Sequence, residues 1–140
     1  MLDEGKTYEV DSSRRAACPA ISATPLRVHR IFTTRELGDL VAISLEGDYG
    51  KPRPALIVQT DLLSDLNSLV LCPVTSDLHT AAFRVTVEPT TANGLRVLSQ
   101  VMVDKLSTVP RIKVSEPFGR LEDDRMRAVD KALLLVVGLI

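Results

Sequence analysis

The sequence predicts a mainly β protein, a small antiparallel barrel with a C-terminal α-helix, and three observations predict it. Five strand-like runs follow one another between Asp39 and Asp104 with no helical pattern between them. A strong turn signal, Asn93-Gly94, separates the last two of these runs. Towards the C-terminus the apolar residues change from a spacing of two to a helical spacing.

The first run, Asp39 to Leu45, is closed by the turn-rich stretch Glu46-Gly47-Asp48-Tyr49-Gly50-Lys51. Ala55 to Gln59 is too apolar to keep one face in water along its whole length, which points to a central strand. Leu69 to Val74 is the third run, and Pro73 argues for a strand end or an edge because it has no N–H to donate. Phe83 to Glu88 alternates cleanly and places Arg84, Thr86 and Glu88 on one polar face. Ser99 to Asp104 is the fifth strand. In the last segment Met126, Val129, Leu133 and Val136 recur at helical spacing. Glu122-Asp123-Asp124 supplies negative charge at the helix start, and Gly138 stops it. Leu134 and Leu135 fall off that stripe, so the helix is apolar over more than one face and a second copy of the chain is expected to cover the excess.

Residues 1–36 differ from the rest. They are rich in Ser, Thr, Ala, Arg and Pro without a sustained period, and are expected to form a poorly ordered extension ahead of one domain over 37–140. A total of 140 residues, 45% of them hydrophobic, supports one core. The formal net charge is −1, and residues 37–140 alone carry 11 Lys and Arg against 13 Asp and Glu. No global field attracts nucleic acid, so any RNA binding requires a local basic patch. Cys18 and Cys72 form no C-x-x-C pair, and His29 and His79 are too scattered for a metal site. Cys72 reads as a small core residue, and the cysteine usage suits a reducing cytoplasm. The run from Ala132 to Val137 is too short to span a membrane. Neither a metal nor another cofactor is expected.

Several short motifs occur in a fixed order. They are Gly38-Asp39-Leu40-Val41, Arg53-Pro54-Ala55-Leu56-Ile57-Val58, Pro73-Val74-Thr75-Ser76, Val103-Asp104-Lys105-Leu106-Ser107-Thr108-Val109, Gly119-Arg120-Leu121, and a final helix ending in Gly138-Leu139. This order resembles the MazF/PemK family of toxin ribonucleases over about residues 37–140. The resemblance implies an SH3-like, CcdB-like curved antiparallel sheet with a C-terminal helix, working as a homodimer. It further implies a type II toxin–antitoxin system, metal-independent cleavage of single-stranded RNA, and a cognate antitoxin whose tail occupies the RNA groove.

The same resemblance puts catalytic weight on Arg53 and Thr75, with Ser76 beside them. A guanidinium is a planar fork that grips two phosphate oxygens, and the prolines on both sides restrict the backbone from which it projects. Thr75 and Ser76 can donate hydroxyl hydrogen bonds to the same oxygens. A guanidinium is a poor base near neutral pH, so the proton acceptor is sought among carboxylates such as Asp48 and Glu46. Asp48, Tyr49, Lys51, Asp104 and Lys105 are the expected RNA-binding residues, and His79 is expected to be an ordinary surface residue.

Three departures limit the comparison. The 46–51 loop is shorter than in many relatives, Lys105 stands where Gln is frequent, and Ser107 stands where Arg is common. The rival readings are a CcdB-like gyrase poison and a non-catalytic barrel that binds an antitoxin or RNA. A gyrase poison of that kind relies on a C-terminal Trp, and this chain has none.

Overall fold

The computed structural model describes residues 35–44 and 51–140. The readings made on 1–34, and on Glu46, Asp48 and Tyr49, lie outside these residues. Arg35 already belongs to the fold, since its guanidinium donates to the backbone oxygens of Val114 and Ser115.

Among the described residues seven strands form one sheet. They are β1 (Asp39–Ile43), β2 (Arg53–Ile57), β3 (Ser68–Thr75), β4 (Arg84–Val87), β5 (Ser99–Met102), β6 (Ser107–Pro110) and β7 (Gly119–Arg120). Every pairing is antiparallel, in the order β4-β5-β3-β2-β1-β7, with β6 also paired to β3. β3 is the spine. One of its edges meets β2, while β6 pairs with its first half, Ser68 to Leu71, and β5 with Val74 and Thr75. Pro73 falls where the partner changes from β6 to β5, a point where a missing N–H costs little. The five expected strands are all present, and β6 and β7 are additions. Both are short and mixed in polarity, so neither carries a hydrophobic period long enough to stand out in the sequence.

Alternation along the strands feeds two cores. Leu40, Leu56, Cys72, Val74, Val85, Val101 and Val103 join one cluster, and Val41, Ile43, Ala55, Ile57, Leu69 and Leu71 join another. Helix α1 (Asp123–Val136) seals the first by burying Met126, Val129 and Ala132. The expected stripe shifts here. Leu133 is only partly buried and Val136 is exposed, because the helix runs past the end of the sheet it covers. The helix ends in a Schellman motif, in which Leu139 N–H donates to the Leu134 oxygen at 2.8 Å and Gly138 N–H to the Leu135 oxygen at 3.2 Å. Gly138 has φ +78°, a conformation that costs glycine little.

The turn at Asn93-Gly94 is a different object from the tight hairpin that the dipeptide suggests. Asn93 is fully buried at the centre of the 88–98 connection. Its amide nitrogen donates to the Glu88 oxygen at 2.8 Å and to the Glu122 carboxylate, and its oxygen accepts from the backbone of Thr90 and Leu95 at 3.0 Å each. The Thr90 hydroxyl also donates to Glu122. Gly119 crosses directly over this knot, where a Cβ would lie 2.0 Å from the Asn93 carbonyl oxygen. The loop is therefore tied both to the entry of α1 and to β7.

Candidate active site

The strand register brings the two leading residues together. Ile43 pairs with Arg53 across β1 and β2, and Ala55 pairs with Pro73 across β2 and β3. Arg53, at the start of β2, and Thr75, at the end of β3, each lie two residues beyond that last pair, and Thr75 is itself paired with Gln100 of β5. By alternation both side chains share the face of Ala55, Ile57, Leu69 and Leu71, away from α1. The pair thus stands at the open end of the second core, where the strands run out into solvent.

A cleft of about 710 Å3 opens there. Arg53, Thr75 and Ser76 line it together, with Pro52, Pro54 and Pro73 at the ends of their strands. The segment Gly94-Leu95-Arg96-Val97 lines it as well, with Phe118 and Met102. Two arginines and three hydroxyl residues (Thr75, Ser76 and Ser99) line the cleft, and no carboxylate does among the described residues. This is the local basic patch that a chain of net charge −1 needs if it is to hold a polyanion.

The hydroxyl of Thr75 is oriented. Its oxygen accepts the Asp77 N–H at 3.0 Å, which leaves its own hydrogen to donate elsewhere. The loop that follows is pinned by Gln100, whose amide accepts the His79 N–H and donates to the His79 oxygen, both at 2.8 Å. His79 Nε2 lies 3.2 Å from an Asp77 carboxylate oxygen, and both side chains point into solvent outside the cleft.

The remaining site residues are placed elsewhere. Lys51 is exposed just ahead of Pro52 and does not line the cleft. Asp104 and Lys105 occupy a short 310 turn, Val103–Lys105, after β5. Asp104 sits 3.3 Å from Arg84 Nε, in an ion pair whose angle does not make a hydrogen bond. Cys72 lies in the core. Burial, with the Asp104 charge adding to it, pushes its thiol from 9.0 up to about 12, so it is no nucleophile at neutral pH. Arg96 went unrecognised in the sequence, where an Arg shortly after an Asn-Gly turn reads as an ordinary surface charge. Among the described residues no group of three or more His, Cys, Asp or Glu could hold a metal ion, and no helix is long and apolar enough to cross a membrane.

Comparison with known proteins agrees with this architecture. Residues 36–137 match the family described as PemK-like, MazF-like toxin of type II toxin-antitoxin system. A probable endoribonuclease MazF of Mycolicibacterium smegmatis is 40% identical over 104 residues, which is 73% of this chain and 95% of that protein. Among solved structures, Mycobacterium tuberculosis toxin MazF-mt6 superposes with a TM-score of 0.63 at 24% identity, covering 71% of this chain and 96% of its own. An endoribonuclease in complex with its cognate antitoxin, from a mycobacterial species, gives a TM-score of 0.66 at 19% identity over 76% of this chain and 97% of its own. With the family matched over most of the chain, and the fold shared with its solved members, this protein belongs to the PemK-like, MazF-like toxins of type II toxin–antitoxin systems.

Proposed function

We propose that this MazF-family endoribonuclease cuts single-stranded RNA in the cleft between Arg53 and Thr75, by attack of the RNA's own 2′-OH on the adjacent phosphorus and without a metal. The P–O5′ bond breaks as the P–O2′ bond forms, leaving a 2′,3′-cyclic phosphate and a 5′-OH. The observation that carries this reading is one cleft lined by a guanidinium and two hydroxyl donors, with no carboxylate among the described residues that line it.

Attack builds a doubly charged phosphorane. Arg53 presents two parallel N–H groups to its oxygens, and a strand terminus flanked by prolines fixes where the side chain starts. Thr75 donates its free hydroxyl hydrogen, and Ser76 supplies a second donor at the cleft edge. The 2′-OH proton needs an acceptor, and no histidine or carboxylate lines the cleft among the described residues. We assign it to the 46–51 loop, with Asp48 and Glu46 as the carboxylates to test. Tyr49 offers a face for a base and Lys51 a charge at the entrance. Lys105 adds a phosphate contact outside the cleft, and Asp104 supports it by holding Arg84.

The partners follow from the same charges. A cognate antitoxin with an acidic tail competes for the cleft through Arg53 and Arg96. A homodimer covers the apolar end of α1.

The test uses purified protein, mixed RNA and EDTA. Cyclic-phosphate and 5′-OH ends are expected. Arg53→Ala should lower the rate by about 10²–10³-fold, or about 2.7–4 kcal/mol of barrier, as removal of one oxyanion donor does elsewhere. Cleavage at the parent rate by the Ala variant would overturn the mechanism. Intact RNA together with inhibited gyrase would favour the poison instead.

A further inference from the structure

We infer that Arg96 is a second phosphate-binding residue of the cleft, gripping a backbone phosphate beside the scissile one. The inference rests on reading the cleft as the RNA site. It goes beyond that reading by adding a recognition residue from a part of the chain far from β2 and β3.

Arg96 lines the same cleft as Arg53 and Thr75. Its charge is uncommitted. Arg35, Arg84, Arg111, Arg120 and Arg125 each engage a backbone oxygen or a carboxylate, whereas Arg96 has no hydrogen bond or ion pair among the described residues. Its point of attachment, by contrast, is held. The neighbouring Leu95 packs against the core, and its N–H donates to the buried Asn93 side chain at 3.0 Å. Asn93 is itself tied to Glu88 and Glu122. A guanidinium on a fixed base with no internal acceptor pays little reorganisation when an anion arrives.

The apolar residues around it identify the anion. Leu95, Val97 and Phe118 share the wall with Arg96, and Val97 and Phe118 are well exposed. Small free anions have no use for such a surface, whereas the bases of a single strand pack on it. Pockets that hold drug-sized ligands span about 300–1,000 Å3, so a cleft of about 710 Å3 has room for more than one phosphate. With Arg53 on the scissile phosphate, Arg96 is left for a flanking one.

The experiment measures binding of a 2′-fluoro RNA pool, which has no nucleophile and is not cut, across salt from about 50 to about 200 mM. Each phosphate contact on a single strand contributes about 0.7 to the slope of log affinity against log salt. Arg96→Ala should bind about tenfold more weakly at the low-salt end, as expected for one charged hydrogen-bonded contact. Its slope should be shallower by about 0.7. Arg96→Lys should keep the slope. With cleavable RNA, most of the loss should appear in KM rather than kcat. An Arg96→Ala protein with the parent's melting temperature and the parent's salt slope would overturn the proposal. Because the probe is not cleaved, this result is separate from Arg53: a silent Arg53 substitution with a changed Arg96 slope would sink the cleavage mechanism and keep the RNA contact.

Discussion

At the scale of single residues, two side chains of β3 show how position decides chemistry. Thr75, at the strand end, keeps its hydroxyl hydrogen for a ligand because its oxygen already serves the Asp77 N–H. Thr75→Val preserves shape but removes the donor, so cleavage should fall about 10–100-fold, the worth of a hydrogen bond to a charged group. Thr75→Ser should retain most of the rate, and single-turnover kinetics on one RNA would compare the two. Cys72, three residues earlier, is sealed in the core. Its thiol ionises near 9.0 when unfolded and near 12 when folded. The unfolded chain therefore loses that proton first as pH rises. The contribution is fully present below pH 9.0 and declines between 9.0 and about 12, at up to roughly 1.4 kcal/mol per pH unit. Urea unfolding below 9.0 and midway through that window should show the decline, and Cys72→Ala, though less stable throughout, should lose this part of it.

At the scale of elements, the 88–98 connection matters more than its composition suggests. An Asn-Gly dipeptide between two alternating runs signals a tight turn in any sequence. Here it marks a buried polar knot, because Glu122 and Gly119 arrive from distant parts of the chain to meet Asn93. Asn93→Ala would leave the Glu88 oxygen, two backbone N–H groups and the Glu122 carboxylate without this partner. The expected cost is about 2–4 kcal/mol, read by urea denaturation. RNA affinity should fall as well, since the Arg96 wall hangs from this knot. The strands β1 to β5 were legible because each falls in a run of apolar or alternating residues bounded by turn-rich stretches. β6 and β7 were not, since a strand of two to four mixed residues is defined only by the partner that it meets. The helix was legible in period and in its glycine stop, yet which leucines it buries depends on where the sheet ends.

At the scale of the whole molecule, charge and apolar surface lead to separate conclusions. A chain of net charge −1 concentrates two arginines in one cleft free of carboxylates among the described residues, so RNA binding should depend on salt without general affinity for polyanions. The end of α1 and the residues after it expose Leu134, Leu135, Val137, Leu139 and Ile140 together. A patch of this kind calls for a covering surface, and the proposed homodimer would supply one through a second copy. Light scattering at micromolar concentration should therefore give a dimer mass. Leu135→Glu with Leu139→Glu should shift it to the monomer, and a parent protein that is monomeric under these conditions would rule the dimer out.

The sequence by itself determined the mainly β class, the five principal strands and the helix, since these depend on local period, and its short motifs singled out Arg53 and Thr75 as the pair to test. It also established that any RNA site had to be a local patch, because net charge is additive along the chain. Only the tertiary structure decided which residues share the cleft. Strand pairing, not proximity in sequence, brought Arg53 and Thr75 to one cleft. A buried asparagine, fastened by residues 26 and 29 positions further along the chain, holds the segment that brings Arg96 to the same cleft. Asp104 and Lys105 were drawn away from that cleft by the 310 turn that follows β5. Contacts between segments that the chain does not place side by side leave no period for a sequence reading to find.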